Sequence, residues 1–275
     1  PIGVNERHDG SLASVTPSPL VRDLIGVAIA AGKAVLEIYA RGTEVRLKED
    51  NSPLTEADIA SERIILRGLA RVAPSIPVVS EEEASVEEIP PVGDRFFLVD
   101  PLDGTKEFLN RNGEFTINIA LVENGEPVIG VVYAPAMGRI FWGERGGGAG
   151  HARTEPGATA DTILWEPLAA RTCPGDGATV VASRSHRDMA TEAWLSSQKV
   201  GSLVSAGSSL KFCLLASGEA DLYPRFGRTM EWDTAAGHAV LAAAGGRVET
   251  MEGVSLTYGK RERGFDNPGF IARGK

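Results

Sequence analysis

The chain has 275 residues, 43% of them hydrophobic, with a formal net charge of -9 and a pI near 5.1. That length and hydrophobic content allow one large or two smaller packed domains, while the acidic balance disfavours a nucleic-acid groove, which needs a basic footprint. Cys173 and Cys213 stand far apart without C-x-x-C or Cys/His spacing, and no uncharged apolar run approaches the roughly 18 residues that span a bilayer, so no disulfide framework, zinc site or integral membrane contact is indicated.

Residues 1–19, rich in Ser, Pro, Gly and charge and lacking the apolar stretch of a signal peptide, are expected to form a loose tail. After Pro19, apolar residues recur at Leu24, Val27, Ala28, Ala31, Val35 and Ile38, the spacing of one helix face. A second helix is expected after Pro53, where Thr55 and Asp58 stand in a capping-box-like relation ahead of Ile59, Ile65, Leu69 and Val72. Strands are expected at 76–80, 95–100, 115–122, 127–134 and 139–143, with Glu123-Asn124-Gly125-Glu126 as a hairpin turn. The glycine-rich run 146–150 reads as a flexible break, since no Lys-Ser/Thr follows it and no helix opens there. Beyond it strands and helices alternate: 179–183, 188–197, 203–206, 208–216, 220–223 and 233–244. The chain thus divides into an α+β half over 20–150 and an α/β half over 151–275.

Asp100-Pro101-Leu102-Asp103-Gly104-Thr105 closes the apolar run Phe96-Phe97-Leu98-Val99. Pro101 stiffens the turn, Gly104 permits close backbone approach, and carboxylate and carbonyl oxygens suit Mg2+ beside a phosphate. Alone, the same stretch also fits an ordinary loop turn with a helix cap. Glu81-Glu82-Glu83 follows the first expected strand, and Glu231-Trp232-Asp233 opens the apolar 234–246 segment; each alone also fits a solvated face or an N-cap. Carboxylates that converge from three such ends repel one another and protonate unless cations neutralise them, so a shared site implies bound metal.

Leu54-Thr55-Glu56-Ala57-Asp58, Ser80-Glu81-Glu82, Asp100 to Thr105 and Trp232-Asp233-Thr234-Ala235-Ala236-Gly237 together resemble the inositol monophosphatase superfamily of Mg2+-dependent, lithium-sensitive phosphatases. Within it, Asn110-Arg111-Asn112-Gly113-Glu114-Phe115-Thr116, Ser183-Arg184-Ser185-His186, Gly207-Ser208-Ser209-Leu210-Lys211-Phe212-Cys213 and Leu222-Tyr223-Pro224-Arg225-Phe226 resemble the CysQ-type 3'(2'),5'-bisphosphate nucleotidases. The resemblance implies a layered α/β/α/β/α sandwich. It also implies two firmly held Mg2+ ions and a third that joins with substrate, on Glu81, Asp100, the Leu102 carbonyl, Asp103 and Asp233.

By the same resemblance the Thr105 hydroxyl faces the attacking water with Asp58 as its acceptor; Asp58 alone also reads as a first-turn carboxylate favoured by the helix dipole. Substrate contacts are implied at Leu102, Asp103, Gly104, Thr105, His186, Ser208, Lys211, Arg225 and Asp233. Amides at 207–209 would meet an anion, and Lys211 and Arg225 would meet a second phosphate. Capping by Ser208, surface roles for Lys211 and Arg225 and a loop role for His186 are the alternatives. The implied reaction takes 3'-phosphoadenosine 5'-phosphate to AMP and phosphate, clearing a by-product of sulfate assimilation. An inositol or broad sugar phosphatase shares the same metal core, while the intact Thr105-Asp58 pair argues against a silent nucleotide-binding regulator. The partner is then a small phosphorylated nucleotide, and the protein a cytoplasmic monomer or homodimer, with peripheral contact at the inner membrane face left open.

Overall fold

The computed structural model describes residues 15–48, 53–86, 89, 91–155, 157–183 and 189–275. Ser18 accepts the Val21 amide and Pro19 occupies the first turn, starting α1 (Pro19–Arg41), whose buried face carries the expected apolar positions. The end of the expected tail is therefore fixed: Ser18 Oγ donates to Glu144 Oε1 at 3.0 Å and Val15 packs on the adjoining core. The rest of that tail, 1–14, lies outside the described residues.

A short ladder of β1 (Val45–Leu47) and β2 (Pro53–Thr55) follows, absent from the sequence reading because three residues carry no usable period. α2 (Glu56–Val72) starts at Thr55, with the capping box formed as its spacing predicts. β3 (Val78–Ser80) leads into α3 (Glu81–Val86), and β4 (Arg95–Asp103) into α4 (Thr105–Leu109). β5 (Thr116–Glu123), β6 (Glu126–Ala134), β7 (Arg139–Glu144), β8 (Gly148–Arg153) and β9 (Glu166–Pro167) complete a seven-stranded sheet in chain order from β3. Only its β3–β4 pair is parallel.

The 146–150 run is no flexible break. Gly146 supplies a left-handed turn at φ 77, and β8 begins at Gly148. A Cβ at Gly150 would lie 2.7 Å from Trp142 Nε1, so the glycine makes room for an indole. The first sheet therefore runs on to Pro167, and a division at 150/151 falls inside β8.

The second sheet has five strands. β10 (Ala178–Ser183), α5 (Met189–Ser196), β11 (Val200–Ala206), α6 (Leu210–Ala216), β12 (Leu222–Arg225), α7 (Glu231–Ala243), β13 (Arg247–Thr250) and β14 (Phe270–Arg273) follow in the chain. The strand order is β11-β10-β12-β14-β13, with β10 parallel to both neighbours and the β12-β14-β13 side antiparallel. Alternation along β4 explains the layering. Phe97 and Val99 face the core shared with α1 and α2, while Phe96 and Leu98 face Phe212 of α6, Val240 of α7 and Phe270 of the second sheet. Leu195 of α5 packs on the outer face of that sheet, against Val180 and Leu222. The layers read α/β/α/β/α, as expected. Gly130 lets β6 approach α7, since a Cβ there would run into the Ala236 carbonyl oxygen. Among the described residues no helix is long and apolar enough to cross a membrane.

Candidate active site

Where β4 ends, its register with β5 shifts between Asp100 and Asp103, and the chain turns over Pro101 and Leu102. The turn is held from inside: Leu102 N donates to Asp100 Oδ1 at 3.0 Å and Ser61 Oγ of α2 donates to the Pro101 carbonyl at 2.7 Å. Gly104 sits at φ 91, and a side chain there would collide with Ser208 Oγ. Glycine is required at that position on both counts.

Three elements meet above this turn. Glu81 opens α3, Asp100 lies near the end of β4, and Asp233 lies in the first turn of α7. One carboxylate oxygen from each falls within 4.8 Å of the others, a grouping that could hold a metal ion. Asp103 faces the same cavity, but its Oδ2 is drawn toward α6, accepting from Ser209 N at 2.7 Å.

The electrostatics mark a site short of positive charge. Burial, reinforced by Glu81, Asp103 and Asp233, holds the Asp100 carboxyl well above the usual range. Burial followed by Asp103 and Glu81 does the same to Asp233. Asp103 is pushed up to about 6 by burial, with Lys211 opposing. Lys48 bridges Glu81 and Glu82 at 2.8 and 2.7 Å. Burial lowers its pKa, but Glu81 and Glu82 outweigh that and leave the ammonium more basic than usual.

Asp58 bonds to two threonines through its two oxygens. Its Oδ2 accepts the Thr55 amide at 2.7 Å and the Thr55 hydroxyl at 2.6 Å, capping α2. Its Oδ1 accepts the Thr105 hydroxyl at 3.2 Å. Burial raises the Asp58 pKa to about 6, partly offset by those Thr55 bonds.

Across a cavity of about 290 Å³, the acids and Thr105 face Lys211, Tyr223 and Arg225. Lys211 is buried, not a surface cation, with Nζ 5.3 Å from the Tyr223 ring centroid. Burial pushes its pKa down to about 8 while Asp103 pulls the other way. Arg225 Nη2 donates to the Arg228 carbonyl at 3.1 Å, whereas its buried Nε has no protein partner among the described residues.

The amides expected to face an anion are largely occupied: Gly207 N donates to Glu114 Oε2 at 2.9 Å and Ser209 N to Asp103. The Ser208 hydroxyl sits between the carbonyl oxygens of Asp103 and Glu114, 2.8 Å from each, with its backbone at φ 52. It pins the turn to the loop before β5. His186 lies outside the described residues. Glu231, fully buried, holds the 259–260 loop by accepting from Gly259 N and Lys260 N at 2.7 and 2.9 Å.

Sequence reasoning missed Lys48 and Asn118, and offered the Ser209 amide to an anion where the structure gives it to Asp103. Lys48 follows a ladder too short to read. Asn118 did carry a signal: it is a lone amide in the otherwise apolar Ile117 to Val122 run, directly opposite Asp100 in the β4–β5 register.

The sequence profile of the inositol monophosphatase family matches residues 17–271. A 3'(2'),5'-bisphosphate nucleotidase CysQ of Salmonella typhimurium is 45% identical over 256 residues, 91% of this chain and 98% of the relative. The protein of that name from Escherichia coli strain K12 is 47% identical over 245 residues, 87% of this chain and 94% of its own. The crystal structure of CysQ from Bacteroides thetaiotaomicron superposes with a TM-score of 0.78 at 38% identity, covering 93% of this chain and 97% of the other. This chain belongs to the inositol monophosphatase family.

Proposed function

We propose that this chain is an Mg2+-dependent 3'(2'),5'-bisphosphate nucleotidase that converts 3'-phosphoadenosine 5'-phosphate to AMP and phosphate. The observation that carries the reading is the convergence of Glu81, Asp100 and Asp233 beside the Thr105–Asp58 pair, across a cavity from Lys211 and Arg225. Relatives at 45% and 47% identity bear the name of that nucleotidase, and the inositol monophosphatase family is metal-dependent.

The donor set fits a hard divalent cation, because every nearby group is an oxygen and the buried carboxylates lack enough protein cations to stay ionised together. Glu81, Asp100, the Leu102 carbonyl, Asp103 and Asp233 would hold two ions, with a third arriving with substrate. Bound Mg2+ would acidify a water and neutralise charge on the phosphoryl and leaving oxygens. Thr105, donating to Asp58, is left with lone pairs to accept a hydrogen bond from the attacking water; as the water gives its proton to Thr105 Oγ, the Thr105 hydroxyl proton passes to Asp58, the base. Backbone amides after Gly104 receive phosphate oxygens. Lys211 and Arg225 neutralise the second phosphate.

Phosphate release from 3'-phosphoadenosine 5'-phosphate, inositol 1-phosphate and fructose 1,6-bisphosphate, each with Mg2+ and with EDTA, tests the reading. The nucleotide should give the highest kcat/KM and none should react in EDTA. Equal or better turnover of either other substrate would return the chain to a general phosphatase.

A further inference from the structure

We infer that Ser209, braced by Asn118, is a positioning residue that sets the spacing between two proposed metal ligands from opposite halves of the chain, Asp103 and Asp233. The inference rests on the metal reading above. Ser209 touches both acids' residues: its backbone N donates to Asp103 Oδ2 at 2.7 Å, and its Oγ donates to the Asp233 carbonyl at 2.7 Å. Asp103 Oδ2 stands farther from that hydroxyl, at 3.2 Å, so the single hydroxyl proton goes to Asp233. Asn118 Nδ2 then donates to Ser209 Oγ at 2.9 Å and also lies 3.4 Å from Asp103 Oδ2.

Local structure does not account for this arrangement. Ser209 occupies the N-cap position of α6 yet makes no side-chain capping bond, although capping is what a serine there ordinarily does. Asn118 is an amide 1% exposed in an apolar strand, and its Oδ1 has no partner among the described residues. Residues that depart from the local rule in this way mark functional positions. Here both departures point at the same two acids. With Oδ2 of Asp103 held by Ser209, its other oxygen is left to face the cavity. With the Asp233 carbonyl held by the same residue, the first turn of α7 cannot slide relative to the β4 turn.

The test is Mg2+ titration of the metal-free protein by calorimetry, with Ser209→Ala, Asn118→Ala, the double variant and Asp103→Asn. Partners that orient ligands typically change metal affinity by roughly 10- to 100-fold. Ser209→Ala and Asn118→Ala should each weaken Mg2+ by about that factor, with far-UV circular dichroism unchanged. Because they act through one bond, the double variant should bind within about threefold of the weaker single variant, not with the product of both losses. Kd values within twofold of wild type in both single variants, or fully multiplicative losses, would overturn the inference while a loss in Asp103→Asn kept the metal reading intact. If Asp103→Asn itself binds Mg2+ normally, the metal reading falls and takes this inference with it. Should Ser209→Ala not fold, Asn118→Ala decides alone, since it removes the brace and leaves both Ser209 contacts in place.

Discussion

Loading the acid cluster with Mg2+ should release protons, and the amount follows from the electrostatics of the metal-free site. Burial and mutual repulsion hold Asp100 and Asp233 well above the usual carboxylate range, and burial raises Asp103 to about 6. A carboxylate must lose its proton to bind metal. At pH 5, one unit below that value, Asp103 is protonated in about ten of eleven molecules, which weakens apparent affinity roughly tenfold, or ~1.4 kcal/mol. By pH 7 the same penalty is only about 10%. Asp100 and Asp233 shift it in the same direction. The Kd for Mg2+ should therefore tighten at least about tenfold from pH 5 to 7. Calorimetry in buffers of differing ionisation heat should show at least about half a proton released per protein at pH 6. The sign for stability is opposite in the metal-free protein. Folded pKa values raised above the unfolded ones contribute stability that is fully present below the unfolded pKa and is lost as pH rises through the folded one. Mg2+ removes that loss, so its Tm increment should be larger at pH 7 than at pH 5. A Kd constant within twofold over this interval, with no proton release, would refute the argument.

Thr105→Ala should lower kcat by roughly 10²- to 10⁴-fold while leaving Mg2+ affinity within about threefold, and a normal kcat would remove Thr105 from the mechanism. Lys211→Met should reduce kcat/KM for 3'-phosphoadenosine 5'-phosphate by roughly 10- to 150-fold, the value of a charge-assisted hydrogen bond at about 1.5–3 kcal/mol. Monophosphates should suffer much less; equal loss on both classes would count against the second-phosphate contact. Gly130→Ala, which forces a methyl into the Ala236 carbonyl, should lower unfolding stability by about 1–3 kcal/mol in urea melts. An unchanged midpoint would mean that β6 and α7 can separate without penalty.

The long elements were legible because their burial is periodic. α1 presents Leu24, Val27, Ala28, Ala31, Val35 and Ile38 to one core, and β4 to β7 are apolar on both faces because helices cover both sides of their sheet. What failed was short or governed by a distant partner. β1 and β2 have three residues each. The 146–150 run was misread because its glycines answer to Trp142 across the ladder and to a tight turn, and neither constraint is local. β13 and β14 interrupt the strand–helix alternation: β14 pairs antiparallel with β12 and β13 with β14, tertiary events that leave little trace in four-residue segments.

At the site, the sequence left two uses open for several acids, and the geometry makes the two compatible. Asp58, Asp100 and Asp233 each read either as a cap or first-turn acid or as a functional carboxylate, because either use places an acid at the end of an element. In the folded chain one oxygen of each, and of Asp103, accepts a backbone amide, and the other oxygen of Asp58 accepts the Thr105 hydroxyl. Asp58 accepts Thr55 N, Asp100 accepts Leu102 N, Asp103 accepts Ser209 N and Asp233 accepts Met230 N. A backbone amide on one oxygen fixes the carboxylate plane and favours its ionised form, so the cap aims the remaining oxygen. Three of these amides lie within three residues of their acceptor and could be foreseen as local turns and caps. The fourth, Ser209 N on Asp103, joins residues 106 apart in sequence. Only the packing of α6 against the end of β4 supplies it, which is why the motif pointed to Ser208 and the geometry points to Ser209.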